Sequence, residues 1–153
     1  MAQHGTFLVP TLSALERVEN AAKNGTIKGL RAEKALAAAA AGRNALKLAI
    51  AHGVPVAMGT DAGVGPHGEN MRELALMVEW GGMKPMDAIV AATMGGARLL
   101  GWDKRIGSIE KGKLADIIAA PGNVLSEIRF LSSVTFVMKD GVIYKPPLRN
   151  PRS

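Results

Sequence analysis

The chain has no cysteine. A disulfide framework and a thiolate metal site are thereby excluded, and any metal ion would have to be held by His, Asp, Glu or a modified Lys. Aromatic residues are nearly as scarce, at 4% of the chain, which leaves little for stacking on nucleobases. The 19 Lys and Arg outnumber the 13 Asp and Glu, giving a net charge of +6. The cations are scattered rather than gathered into a basic run, so nucleic acid is not an expected partner. No apolar stretch approaches the roughly 18 residues of a membrane span. The opening segment MAQHGTFLVPTLSA also lacks the charged start, long apolar stretch and cleavage site of a secretory signal. The expectation is a protein without a membrane partner and with a cytoplasmic location. The 153 residues, 48% hydrophobic with mean hydropathy +0.13, suffice for a globular core.

The chain is organised around Gly53 to Asn70. Val54 to Met58 is apolar and β-branched enough for a strand buried on both faces. Gly59-Thr60-Asp61-Ala62-Gly63 follows where that strand must end. Upstream, Phe7 to Thr11 reads as a short strand stopped by Pro10. Ser13 to Lys23 reads as a helix capped by Thr11 or Ser13, with Leu15, Val18 and Ala22 on its apolar stripe. Arg31 to His52 is alanine-rich and helical, with Leu36, Ala40, Leu46 and Ile50 as its packing face and Gly53 as its stop. A helix joining two such strands predicts a parallel, right-handed crossover.

Downstream, Met71, Leu74, Ala75 and Val78 recur at helical spacing, so a helix is expected from about Glu69 to Trp80. Pro85 opens another, with Ile89, Ala92, Thr93 and Leu100 inward and Gly95-Gly96 allowing close helix contact. From Gly107 the pattern changes to turns and strands. Leu114 to Ala119 reads as a strand, and Val134 to Lys139 with Val142 to Lys145 as a hairpin about Asp140-Gly141. KPPLRNPRS, from Lys145 to Ser153, reads as a solvated end.

Among groups able to do chemistry, Asp61 stands out. A carboxylate at the C-terminal tip of a buried parallel strand can ligate a metal or accept a proton from water; alternatively it caps the following turn. His67 opens the next helix, where it can touch substrate or serve as an ordinary loop histidine. His52, at a helix end, has a structural explanation in the helix dipole, and His4 has no partner at ligand spacing. The glycine-rich loop Gly59 to Gly68 lacks both the P-loop ending and the dinucleotide fingerprint. No serine lies in a nucleophile elbow.

Three segments, GVPVAMGTDAG, PHGENMRELALMVEWGGMKPMDAIVAATMGGARLLG and IGSIEKGKLADIIAAPGNVL, followed by VMKDGVIY, together resemble the C-terminal half of the amidohydrolase superfamily. The likeness is to its imidazolonepropionase-like and Xaa-Pro dipeptidase-like members. That resemblance implies an α/β fold: the last two βα units of a (β/α)₈ barrel over residues 1–105, a β-sandwich segment over 106–147 and a flexible tail over 148–153. It also implies a metal-dependent hydrolase cleaving a C–N bond in an amide, cyclic amide or dipeptide. Asp61 matches the aspartate ending the eighth strand, a metal ligand and proton shuttle, and His67 falls in a loop that contacts substrate. The implied cofactor is a divalent metal, zinc foremost, as one or two ions.

The family's other ligands come from strands one, four, five and six, which have no counterpart here. One carboxylate cannot hold a catalytic zinc, which takes about three protein ligands. Length agrees, since a full barrel needs about 250 residues. The sequence therefore reads as part of an enzyme, inactive and without its metal when alone. The expected partners are a missing N-terminal half, or further copies joined at unpaired strand edges. The alternative is a standalone, non-catalytic binding module that keeps the Asp61 loop.

Overall fold

The computed structural model describes residues 1–147; the tail expected over 148–153 lies outside them. A short 3₁₀ turn, Ala2–His4, precedes the first extended segment. The helices are α1 (Leu12–Lys23), α2 (Leu30–Ala51), α3 (Arg72–Glu79), α4 (Pro85–Val90) and α5 (Gly96–Leu99), with a π turn, Ala91–Gly95, between the last two. The strands are β1 (Ile117–Ala119), β2 (Phe136–Lys139) and β3 (Val142–Lys145), and a 3₁₀ helix, Ile128–Ser133, comes before β2. Among the described residues no helix is long and apolar enough to cross a membrane.

The two expected barrel strands are present as extended chain but pair at one place only, a parallel bridge between Leu8 and Val56. Leu8 N–H donates to the Pro55 carbonyl at 2.9 Å and Ala57 N–H to the Leu8 carbonyl at 3.0 Å. The parallel sense is as the crossover requires. The ladder is short because Pro10 and Pro55 each remove a donor. On the other side of the second segment, Met58 N–H donates to the Ala91 carbonyl at 3.0 Å. That carbonyl belongs to the π turn and also accepts from Gly96, so a helix covers part of an edge that the sequence reading left open. Among the described residues no closed eight-stranded barrel forms.

Helix faces differ from expectation in instructive ways. α2 buries Ala35, Ala39, Leu46 and Ala49, so its face is turned from the one expected, and Leu36 and Ile50 stand 40% and 38% exposed. Small residues face α1 because the two helices approach closely: a Cβ on Gly42 would lie 2.2 Å from Leu15 Cδ1. α4, the π turn and α5 likewise bury Ala88, Ala91, Gly95 and Ala97, while Thr93 and Leu100 are exposed. The close approach expected at Gly95 is to strand backbone, with a Cβ there 2.7 Å from the Val56 carbonyl oxygen, and not to another helix.

α3 is the centre of the core. Glu73 through Met77 are all buried, because α1, α4 and the 3₁₀ helix Ile128–Ser133 all pack on α3. Ion pairs tie the surroundings together. Arg72 binds Glu16 of α1 at 2.6 Å and Glu79 at 3.3 Å, and Glu79 also takes Arg129 from the 3₁₀ helix at 2.5 Å. Arg43 of α2 pairs with Glu19 and lies 3.7 Å over the Trp80 ring.

The last third forms a three-stranded antiparallel sheet in the order β1-β2-β3. Asp140 and Gly141 carry φ of 48° and 76°, the positive pair that a tight two-residue hairpin demands. β3 is exposed along its whole length, so this is one layer of sheet and not a closed sandwich among the described residues.

The two adjacent glycines give a sharp check. Gly95→Ala should cost about 1–3 kcal/mol through overpacking on the Val56 carbonyl. Gly96→Ala, in helical backbone with nothing within 4 Å of the new Cβ, should gain about 0.5–1 kcal/mol. Urea unfolding of both variants measures the opposite signs.

Candidate functional site

The C-terminal ends of the two bridged segments meet. A Cβ on Gly59 would stand 2.4 Å from Val9 Cγ1 and 3.8 Å from Thr11 Cγ2, so only glycine admits the neighbouring chain there. Each segment ends on a non-glycine residue in left-handed backbone, Thr11 at φ 46° and Asp61 at φ 52°. For a β-branched threonine this conformation is strained by about 1–3 kcal/mol, a cost that persists only where surrounding contacts impose it.

The imposing contact is a carboxylate. Glu73, fully buried on α3, accepts the N–H of Leu12 at 2.8 Å and of Ser13 at 2.7 Å. It thus caps α1 from a different helix. Thr11 occupies the cap position but its side chain caps nothing, which corrects the expectation that Thr11 or Ser13 would do so. The Ser13 hydroxyl instead donates to the Thr60 carbonyl at 3.2 Å, one residue before Asp61. A fully buried carboxylate is costly to desolvate. Two charge-assisted bonds and the positive end of α1 offset part of that cost. Burial still dominates and pushes the Glu73 pKa above its ordinary 4.5, against the pull of the Ser13 and Leu12 N–H groups.

Asp61 itself is exposed, and among the described residues its side chain enters no hydrogen bond or ion pair. Its carbonyl accepts Val64 N–H at 3.1 Å, closing a turn. His67 is also exposed in the following loop. No hydrogen bond or ion pair among the described residues joins it to Asp61. The loop is anchored instead by Arg17 of α1, which pairs with Glu69 and lies where a Cβ on Gly65 would fall, 2.0 Å from its Nε. His52 ends α2 and His4 ends the first 3₁₀ turn. Among the described residues no three His, Asp or Glu side chains gather as a metal site.

Space near Asp61 is small. A cavity of about 20 Å³ lies between Ser13, Arg17, Thr60 and Gly65, room for about one water molecule. A cavity of about 540 Å³ runs beside Val54 to Val56 and is also lined by Met83 and Val90. It lies along the opening of the strand and away from its acidic tip, so it is not the place for chemistry at Asp61.

A family model described as the amidohydrolase family matches residues 1–144. The chain belongs to the amidohydrolase family. Within that family, ochratoxinase of Aspergillus niger is 35% identical over 151 residues, covering 96% of this chain and 31% of that protein. Imidazolonepropionase of Erwinia tasmaniensis is 40% identical over 72 residues, covering 44% of this chain and 17% of that protein. Among solved structures, a Xaa-Pro dipeptidase with methionine bound in its active site superposes with a TM-score of 0.88 at 42% identity, over 95% of this chain and 36% of that one. The chain thus spans about a third of the length of the ochratoxinase and of the dipeptidase. The matched residues include the Thr60-Asp61 loop and the α3 segment that carries Glu73.

Sequence reasoning missed Glu73, Ser13 and Arg17. Taking about 100° per residue, Glu73 lies about 200° from Met71 and opposite the apolar stripe, so periodicity assigns it to solvent. The one available signal was an acid directly preceding the apolar run Leu74 to Val78.

The pH dependence of stability follows from these groups. Because folded Glu73 holds its proton more tightly than the unfolded chain does, stability should fall as pH rises from about 4.5 through its raised pKa. Glu79 acts oppositely. Burial raises its pKa but is outweighed by Arg129 and Arg72, so its contribution is present above about 4.5 and lost as pH falls. Urea unfolding between about pH 3 and 8 should therefore show a declining limb above about 4.5 that Glu73→Gln removes and Glu79→Gln leaves in place. A wild-type curve that keeps rising across that window would contradict the assignment.

Proposed function

We propose that this chain supplies the strand-eight aspartate of a metal-dependent hydrolase that cleaves a C–N bond in an amide, cyclic amide or dipeptide. The observation that carries the reading is the placement of Asp61 in a chain of the amidohydrolase family. Among the described residues its carboxylate has no hydrogen bond or ion pair, and it stands at the C-terminal tip of a parallel segment in a left-handed conformation. The names of the relatives, a Xaa-Pro dipeptidase, an imidazolonepropionase and an ochratoxinase, support this reaction class.

In this reading Asp61 is a ligand of a divalent metal, zinc foremost, as one or two ions. It also takes the proton from the attacking water and hands it to the leaving nitrogen. His67 contacts substrate from the following loop. The described residues alone do not fit a catalytic metal, because one carboxylate falls short of the roughly three protein ligands that zinc needs. The remaining ligands come from the strands that complete the family's barrel. No catalytic step is assigned to these 153 residues by themselves.

A second reading, a non-catalytic binding module, is favoured by the lack of a clustered ligand set among the described residues. Metal analysis and assay of the purified chain separate the two, since a stoichiometric metal with turnover would rule out the module. In the chain combined with a polypeptide supplying the other six strands, Asp61→Asn should keep the fold, as Asn tolerates left-handed backbone. Turnover should fall by about 10²–10⁴-fold. Wild-type rates in that variant would overturn the hydrolytic role of Asp61.

A further inference from the structure

Three features converge on one stretch of backbone. Both strand ends turn through left-handed residues, Thr11 and Asp61. The buried Glu73 carboxylate grips the two N–H groups that follow Thr11, at 2.8 and 2.7 Å. Ser13 is held by its N–H to Glu73 and donates its hydroxyl to the carbonyl of Thr60, the residue before Asp61, at 3.2 Å. Ser13 is itself 8% exposed, so water competes little for either bond. Among the described residues these are the side-chain hydrogen bonds that reach Thr11–Ser13 and Thr60.

We propose that Glu73 is a positioning residue for Asp61: through Ser13 it fixes the backbone at Thr60 and so sets the direction in which the Asp61 carboxylate leaves the strand. The first two N–H groups of α1 converge on the Glu73 carboxylate, and the left-handed Thr11 brings the chain into the helix immediately before them. The same grip orients Ser13, whose hydroxyl lies close to the Glu73 carboxylate and bonds the Thr60 carbonyl. With Thr60 held from one side and Val64 N–H bonded to the Asp61 carbonyl from the other, the Asp61 dihedral is bracketed. Among the described residues Glu73 bonds Leu12 and Ser13 and not Asp61, so its influence is indirect. The functional meaning of this arrangement rests on the proposed role of Asp61, whereas the arrangement itself does not.

The test reads backbone conformation and not turnover, so its failure is distinct from failure of the hydrolase reading. In the labelled full chain, NMR detects left-handed residues by a strong intraresidue HN–Hα cross-peak. Ser13→Ala breaks the link to Thr60 but leaves the Glu73 cap. It should weaken the Asp61 cross-peak several-fold while sparing that of Thr11. Glu73→Gln, which turns one acceptor into a competing donor, should weaken both. Leu46→Ala, which removes a buried side chain elsewhere in the core, lowers stability and should leave both cross-peaks intact. An unchanged Asp61 cross-peak in Ser13→Ala overturns the proposal, even if Glu73→Gln fails to fold. Loss of the cross-peak in Leu46→Ala also overturns it, as does outright unfolding of Ser13→Ala, since each would make the effect one of general stability.

Discussion

The structure depends on a carboxylate where periodicity would put water. Glu73 sits in the most enclosed helix of the chain and satisfies the first two N–H groups of α1. Helix N-termini leave such donors orphaned, and burying them without partners is costly. A cap supplied from another helix does more than a local one would. It fixes α1 against α3 in both distance and direction, and it fixes the turn by which the chain leaves the first barrel segment. The strain at Thr11 is the visible consequence of that constraint.

From that point the rest of the packing follows. α3, enclosed on several sides, carries Arg72 and Glu79 at its ends, and these reach Glu16 on α1 and Arg129 on the 3₁₀ helix leading to the sheet. The Arg72 guanidinium is held firmly charged, its pKa raised above an already high value chiefly by hydrogen bonding to Glu16 against the cost of burial. α2 approaches α1 through alanines and Gly42, with Arg43 bridging to Glu19 and Trp80. The appended sheet is thereby connected to the same helix that positions the strand tips.

Much of this was legible in the sequence. The order of elements, the parallel relation of the Phe7 and Val54 segments, the hairpin at Asp140-Gly141 and the glycine stop at Gly53 each rest on a local rule that tertiary contacts do not override. The packing faces of α2 and of the α4 to α5 segment were not legible. There the buried residues are small ones chosen for close approach, and a hydrophobic pattern ranks leucine and isoleucine above alanine. Glu73 was hidden for the converse reason: a helix enclosed on several sides has no polar face for an acid to mark. Asp61 was singled out from its position at a strand end. The conformation that presents it was not, since left-handed aspartate carries no sequence signature of its own.

In the proposed hydrolase, Asp61 belongs to a metal centre completed by strands outside these residues. The most direct measurement is anomalous diffraction from crystals of the chain combined with the remaining barrel strands and loaded with zinc. The account predicts a metal peak about 2.0–2.2 Å from an Asp61 carboxylate oxygen. A fully ligated metal beyond coordination distance of Asp61 would contradict it.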